Sequence, residues 1–391
     1  MNNYVARIIF TGLIFFFLLT ANSPGQQSVE RPEAQRRNIG LFYEKIRTGK
    51  AVTVAYLGGS ITQGAGATDP NKTSYRALVT TWLRTHFPKT QINEINAAVG
   101  GTGSAYGSIR VRRDVVEQKP DLVFIEFAIN DAGEKEEAAK KSLEGIIRQL
   151  LAVSQPPEIV MIYTTSEKRN AVVAWHETIA SYYRLPAINL QDAVWKQIDE
   201  GKISFSALSK DGVHPNDDGY KLYANLVTDF LTVQETLTPS PLVKVLPGYL
   251  LSDEMTYGEL KPFAEFAHNA TWKSEATTDK TLPSSLLVTD KANAEISVSF
   301  EGTVVGLSYR MGPDCGIIEC LIDDKPAPDP LRQIDTYYKD PHISTRIIAG
   351  GLPPGEHKLT IRVKGEKNAK STGNFVRLGA FLIGGARPER L

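Results

Sequence analysis

The stretch Val52–Gly64, which reads VTVAYLGGSITQG, constrains the fold more than any other part of the chain. It begins with a continuous, largely apolar run, which is typical of a strand buried on both faces of a parallel sheet. Gly58 and Gly59 then allow a sharp turn, and Ser60 follows directly. Because ligands bind beyond the carboxyl ends of the strands in open parallel sheets, Ser60 is a candidate nucleophile. Taken alone, the same pattern also fits a Gly-Ser turn that leads into a helix.

Strand-like and helix-like segments alternate through the first half of the chain. Apolar runs predict strands at 52–57, 92–97, 122–127, 159–163 and 187–190, and helical spacing predicts helices at 39–48, 75–87, 109–116, 135–153, 172–183, 193–198 and 217–231, with Asn216 as the N-cap of the last. This alternation predicts βαβ units and a three-layer α/β/α sandwich. Right-handed crossovers favour a flavodoxin-like strand order.

The texture of the sequence changes after Thr236. The segment Thr238-Pro239-Ser240-Pro241 indicates a linker, and short alternating runs follow at 295–300, 304–309, 317–322, 344–348, 357–363 and 375–383. Turns rich in Gly, Pro and Asp separate these runs, which predicts an antiparallel β-sandwich of jelly-roll-like type. We therefore expect a lead-in over 26–38, an α/β domain over 39–236, a linker over 237–245 and a β-sandwich domain over 246–391.

The N-terminus indicates export. Arg7 precedes an apolar run at 8–19 that is shorter than the ~20 residues needed to span a bilayer, and polar residues follow as far as Gly25. We interpret 1–25 as a signal peptide, so the protein is expected to be secreted or periplasmic, with no stable membrane insertion after signal removal. An uncleaved anchor is the alternative, and the absence of a cysteine just after the run argues against a lipoprotein.

The charge and the metal-binding residue types exclude several kinds of partner. The chain has 44 Lys and Arg against 44 Asp and Glu, so we expect no nucleic-acid partner. Its six His residues are scattered, and no Cys/His spacing fits a zinc site, so we expect no metal and no cofactor. Cys315 and Cys320 would lie ~16 Å apart on one strand, too far for a disulfide, although a turn would bring them together. Two packed thiols are the favoured interpretation. The sequence does not fix the oligomeric state.

Chemistry-bearing residues follow several of the predicted strands at the same edge of the sheet. Ser60 follows the first strand, Gly101 the second and Asn130 the third, while Asp211 and His214 precede the last helix. His214 would take the proton of the serine hydroxyl, and Asp211 would hold the imidazole tautomer and offset its charge. The Ser60 N–H, the Gly101 N–H and the Asn130 amide would then bind the oxyanion of a tetrahedral intermediate.

Four sequence blocks carry a family resemblance. They are Gly58-Gly59-Ser60, Asn96-Ala97-Ala98-Val99-Gly100-Gly101, Asn130-Asp131 and Asp211-Gly212-Val213-His214. In order, residue type and position they resemble the blocks of SGNH (GDSL-like) hydrolases, over about 52–231. The resemblance implies a nucleophile at Ser60, a triad completed by Asp211 and His214, and an oxyanion hole of Ser60, Gly101 and Asn130. The family's usual Asp before the serine is Gly59 here, which affects the shape of the turn. Gly100 competes with Gly101 as the second oxyanion donor.

Other polar residues near these blocks are interpreted as structural. Asp131 is more typical of a structural group than of a catalytic one, and His176 in a predicted helix is interpreted as a packing or surface group. Glu126 is expected to be a buried strand carboxylate, although the sequence does not identify its partner. Trp272 suits either packing or stacking on a sugar ring.

These observations together predict a secreted serine ester hydrolase that acts through an acyl-enzyme intermediate. Export and an appended β-sandwich favour an acylated polysaccharide or small molecule as the substrate, with O-acetyl groups on a carbohydrate as the leading candidate. The alternatives are a lipase or lysophospholipase, an inert glycan-binding protein and an O-acyltransferase. The family resemblance extends, in a looser way, to carbohydrate esterases.

Overall fold

The computed structural model describes residues 36–241, 245–278 and 284–385. The predicted signal peptide over 1–25 lies outside the described residues, as do most of the lead-in and part of the linker. No helix within the described ranges is long and apolar enough to cross a membrane.

A parallel sheet organises the first half of the described chain, with strand order β2-β1-β3-β4-β5. Its strands are β1 Val52–Gly58, β2 Ile92–Ala98, β3 Leu122–Glu126, β4 Glu158–Tyr163 and β5 Ala187–Asn189. The helices are α1 Gly40–Arg47, α2 Ser60–Gln63, α3 Tyr75–His86, α4 Ser104–Asp114, α5 Glu136–Leu151, α6 Val172–Tyr182, α7 Leu190–Asp199, α8 Phe205–Leu208 and α9 Asp217–Glu235. This strand order is the predicted flavodoxin-like one.

Strand periodicity explains the three layers. On β1, Val52, Val54 and Tyr56 point to the face covered by α1, α3, α7 and α9, whereas Ala55 and Leu57 point to the face covered by α4, α5 and α6. Because side chains alternate along a strand, one nearly all-apolar run supplies both cores. The three-layer α/β/α prediction is confirmed, and it places all five strand ends at one edge.

Two helices begin earlier than predicted. Helix α4 begins at Ser104 rather than at 109, because the buried Asp131 carboxylate accepts the Ser104 backbone N–H at 2.8 Å and satisfies the first turn. Helix α7 begins at Leu190 rather than at 193, where the Asn189 side chain accepts the Asp192 N–H at 3.0 Å. Apolar spacing does not report such polar contacts. The N-cap predicted at Asn216 is confirmed.

Two antiparallel sheets form the described C-terminal part. One contains β6 Tyr257–Pro262, β7 Lys273–Ala276, β8 Ser285–Thr289, β10 Val304–Met311, β14 His342–Ala349 and β16 Val376–Gly385. The other contains β9 Glu295–Glu301, β11 Ile317–Ile322, β12 Lys325–Pro326, β13 Gln333–Asp335 and β15 Glu356–Val363. Apolar side chains of both sheets share one core, so the β-sandwich prediction is confirmed.

Several strands of the sandwich were not predicted. Strand β7 reads KSEA and is exposed, and β6 reads YGELKP, so neither shows the apolar alternation that indicates a strand. They form because β6 pairs with the buried β16 and β7 pairs with β8. Trp272, just before β7, is buried and donates its indole N–H to the Glu295 carbonyl at 3.0 Å, which makes it a packing group.

The β-sandwich packs on α4 and α5 of the α/β part. A Cβ placed at Gly258 would lie 2.4 Å from the Ile109 Cα, and one placed at Gly145 would lie 2.2 Å from the Met255 carbonyl oxygen. The backbones therefore meet at two points where only glycine fits. Glu144 on α5, which is fully buried, adds charge-assisted bonds by accepting backbone N–H groups just before β6.

Cys315 and Cys320 are both buried free thiols. Cys320 points into the sandwich core, and burial raises its pKa to about 12. The interpretation of two packed thiols agrees with this arrangement.

Candidate active site

The nucleophile turn lies between β1 and the one-turn helix α2. Gly58 ends β1, Gly59 is the N-cap of α2, and Ser60 is the first helical residue. Gly64 ends α2 in the left-handed conformation with φ 102°, which glycine adopts without a steric cost. Ser60 is half-buried at the carboxyl edge of the sheet.

The loop before α9 carries the candidate base and its partner. Ser209 and Pro215 form an isolated antiparallel bridge that closes this loop at its base. Gly212 has φ 78°, and its carbonyl accepts the Glu167 N–H at 2.8 Å, which fastens the loop to the segment after β4. Asp211 and His214 lie on either side of Gly212.

The structure brings Ser60, His214 and Asp211 together in one hydrogen-bonded series. The Ser60 Oγ lies 2.9 Å from the His214 Nε2, and the His214 Nδ1 lies 2.7 Å from the Asp211 Oδ2. The other oxygen of Asp211 accepts the backbone N–H groups of His214 and Val213 at 2.8 and 2.9 Å. This is the geometry in which a base can take the hydroxyl proton while a carboxylate holds the imidazole.

The carboxyl group of Asp211 is adapted to remain ionised. Its partial burial would raise its pKa, but the hydrogen bonds from the His214 ring and from the backbone N–H groups of His214 and Val213 outweigh that effect. The pKa of Asp211 therefore falls well below its ordinary value. The side chain is 56% exposed, so water also solvates it.

Helix α9 links the turn that carries Ser60 to the loop that carries His214. Its buried Tyr220 places its hydroxyl 3.0 Å from the Ile61 carbonyl and 2.7 Å from the Ala65 carbonyl, at the two ends of the nucleophile turn. The same helix begins three residues after His214. One rigid element thus fixes both groups, and no sequence signal singled out Tyr220.

Asn130 lies against the nucleophile turn. A Cβ placed at Gly59 would lie 2.0 Å from the Asn130 Oδ1, so the Asn130 side chain occupies the space that a side chain at 59 would need. The sequence has Gly59 where the family that it resembles usually has Asp, and the position of Asn130 leaves no room for such a side chain. Asn130 begins a short 3-10 turn, three residues after the buried Phe127.

Both candidate glycines follow β2, and the structure gives them different surroundings. A Cβ at Gly100 would lie 3.6 Å from the Ser60 Cβ and 2.6 Å from the Gln63 side-chain oxygen. Gly101 has φ 71°, and a Cβ there would meet open space. Gly100 is thus packed beside Ser60. At Gly101 the positive φ, rather than a close contact, favours glycine.

Asp131 and His176 form a buried pair beneath the Asn130 turn. The Asp131 Oδ2 lies 2.8 Å from the His176 Nε2, and its Oδ1 accepts the Ser104 N–H at 2.8 Å. The interpretation of Asp131 as structural fits these contacts, because it joins the third strand end to α4 and α6. His176 is the buried partner of Asp131, and its position in the sequence did not indicate this pairing.

Glu126 also has identifiable partners. It is buried at the end of β3 and accepts hydrogen bonds from Thr62 at 2.9 Å and Thr164 at 2.7 Å. Burial raises its pKa above the ordinary value, against the opposing effect of these hydrogen bonds. Its partners come from α2 and from the loop after β4, so no local sequence pattern could name them.

The site is suited to acyl transfer through a serine. Within the described ranges, no group of three or more His, Cys, Asp or Glu side chains could hold a metal ion. The Ser60 hydroxyl, the His214 imidazole and the Asp211 carboxylate meet near backbone and amide donors at one edge, which are the kinds of group that such a reaction needs.

Residues 56–222 match the model of the GDSL-like Lipase/Acylhydrolase family. This match confirms the resemblance of the four sequence blocks, all of which lie within the matched residues. The predicted class, carboxylic ester hydrolase, is confirmed at the level of this family. No curated protein matches the sequence.

Solved structures share the fold of nearly the whole chain. One is a two-domain esterase active on acetylated mannans, co-crystallised with mannopentaose. It has 22% identity and a TM-score of 0.76, and the alignment covers 91% of this chain and 97% of the esterase chain. Another structure of a two-domain esterase of that description has a TM-score of 0.75 and 23% identity, with 91% and 98% covered. An acetylxylan esterase from Geobacillus stearothermophilus aligns with 49% of this chain and 96% of its own at 19% identity and a TM-score of 0.42. The first two share an α/β domain followed by a β-rich region with this chain.

Proposed function

We propose that this protein, which contains a GDSL-like acylhydrolase domain, is a secreted serine ester hydrolase that removes acetyl groups from an acylated carbohydrate. One observation carries the proposal: the Ser60 hydroxyl, the His214 imidazole and the Asp211 carboxylate lie in hydrogen-bonding sequence at 2.9 and 2.7 Å. Ser60 and His214 come from segments about 150 residues apart in the chain.

The reaction would proceed in two steps. The Ser60 Oγ attacks the ester carbonyl carbon while its proton passes to the His214 Nε2, and the carbonyl oxygen becomes an oxyanion. The bond to the sugar oxygen then breaks, and that oxygen takes the proton from His214. A water molecule next attacks the acyl-enzyme, gives a proton to His214, and releases acetate as the proton returns to Ser60. Asp211 stays ionised throughout and offsets the imidazolium charge.

The oxyanion donors proposed for this reaction are the Ser60 N–H, a glycine N–H from the loop after β2 and the Asn130 amide. The close approach of Asn130 to Gly59 supports its place in the set. Gly101 keeps the role that the family resemblance implies. Gly100, whose Cβ position is 3.6 Å from the Ser60 Cβ, is the alternative. A single such donor is worth ~10²–10³ in turnover.

Two observations support a polar, carbohydrate-borne ester rather than a lipid. Among the described residues, the large apolar side chains that are exposed lie at or just after the end of α9, in the segment before β6 and at Tyr338, not on the segments that carry the site. The mannan esterase with the same two-part architecture acts on an acetylated polysaccharide. Secretion is proposed from the apolar run at 8–19, and N-terminal sequencing of the exported protein would test it.

The first experiment compares the wild type with Ser60→Ala on p-nitrophenyl acetate. We expect Ser60→Ala to lower kcat by at least ~10⁴-fold, because the nucleophile is lost. Ser206→Ala is the matched control, since Ser206 is exposed on α8 and its hydroxyl hydrogen-bonds to Ser204. Equal rates in the wild type and Ser60→Ala would reject the mechanism.

The second experiment tests the substrate and the reaction type. Acetate release from acetylated mannan, acetylated xylan and p-nitrophenyl esters of increasing chain length separates a carbohydrate esterase from a lipase. Binding to the polysaccharide without acetate release would favour an inert glycan-binding protein. Acyl transfer to an added sugar in preference to water would favour an O-acyltransferase.

A further inference from the structure

Two fully buried charged side chains lie directly behind the nucleophile turn, and the reaction proposed above does not use them. They are Arg110 on α4 and Glu126 at the end of β3. Burying a charged group costs several kcal/mol unless it is well paired and hydrogen-bonded. The partners that hold these two groups therefore indicate what they do.

Arg110 binds the carbonyl groups of two neighbouring strand ends. Its Nη2 donates to the Gly58 carbonyl at 3.1 Å, and its Nη1 donates to the Ala97 carbonyl at 2.5 Å and contacts the Asp114 carboxylate at 3.1 Å. Gly58 is the last residue of β1, two residues before Ser60. Ala97 lies near the end of β2, just before the glycine loop. The planar guanidinium thus ties α4 to both strands.

Glu126 holds the same turn from the other side. Its carboxylate accepts the hydroxyl of Thr62, which lies on α2 two residues after Ser60, at 2.9 Å. It also accepts the hydroxyl of Thr164, which follows β4. The carboxylate therefore ties the nucleophile turn to the ends of β3 and β4.

Arg110 and Glu126 hold the nucleophile turn on either side of Ser60, at the Gly58 carbonyl and at the Thr62 hydroxyl. A guanidinium at the first group and a carboxylate at the second restrict the chain on both sides of Ser60, because both groups are buried and charge-assisted hydrogen bonds are strong. We propose that Arg110 and Glu126 are positioning residues that clamp the nucleophile turn on both sides of Ser60, at Gly58 and at Thr62, and thereby set the Ser60 N–H and hydroxyl for reaction; this inference rests on the proposed function.

The chain offers matched controls for the clamp. Arg76 on α3 is equally buried and pairs with Glu94, and Glu144 on α5 is fully buried and accepts the backbone N–H groups of Leu250 and Leu251. Removing the charge of either residue leaves its buried partners without their hydrogen-bond or ion partner, as in the clamp variants, but does not affect the nucleophile turn. A purely structural role of the clamp residues therefore predicts the same behaviour in both pairs.

The test compares Arg110→Met and Glu126→Gln with Arg76→Met and Glu144→Gln. For each variant, Tm, kcat and KM on p-nitrophenyl acetate and the rate of labelling by a fluorophosphonate are measured. We expect the clamp variants to lose ~10²-fold in kcat and in labelling rate with little change in KM, because a misplacement of about 1 Å at the reacting atoms has that effect. The control variants should lower Tm only.

Clamp variants whose kcat and labelling rate fall no further than those of the controls would overturn the inference. Should Arg110→Met fail to fold, Arg110→Lys replaces it, since a single ammonium keeps the charge but cannot reproduce the fork to both carbonyls. Wild-type kcat in Arg110→Lys would equally overturn the clamp. A wild type no more active than Ser60→Ala rejects the proposed function itself, whereas an active wild type with unaffected clamp variants rejects only the clamp.

Discussion

Placing a methyl group at Gly59 should cost activity through Asn130. In Gly59→Ala the new Cβ would lie 2.0 Å from the Asn130 Oδ1 and 3.0 Å from its Cγ, so the amide must move by about 1 Å or more to reach ordinary contact. The amide is the end of a side chain, and its displacement should cost little stability. If Asn130 is an oxyanion donor, that displacement should lower kcat by ~10²–10³-fold.

The assay is steady-state hydrolysis of p-nitrophenyl acetate together with thermal unfolding. Gly133→Ala is the control, because a Cβ at Gly133, on the same short turn as Asn130, meets nothing within 4 Å. We expect Gly133→Ala to behave as the wild type in both measurements. A kcat for Gly59→Ala within about twofold of this control would refute the reasoning.

A double-mutant cycle identifies the route of the effect. If Gly59→Ala acts by displacing the Asn130 amide, then adding it to Asn130→Ala should cause no further loss, because the donor is already gone. Effects that multiply would show that the substitution acts elsewhere, for instance on the Thr102 carbonyl, which lies 3.3 Å from the same Cβ position.

Three further predictions concern the carboxylates and the packing of the sandwich. Asp211→Asn should lower kcat by up to ~10⁴-fold with a nearly unchanged Tm, and an unchanged kcat would contradict its orienting role. Burial raises the pKa of Glu158 to about 7, above the ~4.3 of an unfolded chain, so its contribution to stability is complete below about pH 4 and is lost as the pH rises through 7. The free energy of unfolding, measured with denaturant, should therefore fall between pH 4 and 7, and Glu158→Gln should remove up to ~3 kcal/mol of this fall. The same pH dependence of the unfolding free energy in both proteins would contradict the prediction. Gly258→Ala should destabilise the protein by ~1–3 kcal/mol through its clash with the Ile109 backbone, whereas Gly248→Ala, with open space around it, should not.

The strands and helices of the α/β part could largely be predicted from the sequence because short local patterns determine them. The buried runs of β1 and β3 and the N-cap at Asn216 are each encoded within a few residues. The same holds for Ser60 and for the spacing of Asp211 and His214, which lie three residues apart in one loop. These features therefore follow from strand ends and loop composition alone. The domain boundaries drawn from linker composition, at 236 and 246, remain a prediction.

The supporting contacts of the site could not be predicted because they join distant segments. Arg110 stands in the run SIRVRRD beside two other arginines, and nothing local indicates that it alone binds the ends of β1 and β2. Likewise, Glu126 is predicted to be buried, but its partners lie on α2 and after β4. Tyr220, which no sequence signal singled out, also has a partner on α2. Long-range pairing of polar groups has no periodic signature in a sequence.

The helix α4 gives the β-sandwich a mechanical connection to the site. Its first residue follows the glycine loop directly, and its inner face carries Arg110. Its outer face, with Tyr106 and Ile109, is buried against β6, β10 and β16 rather than solvated. Without that cover, α4 would expose apolar side chains, and the helix that holds the carbonyl of Gly58 would lose packing on one side. The sandwich therefore supports the nucleophile turn through α4, whether or not it also contacts a polysaccharide.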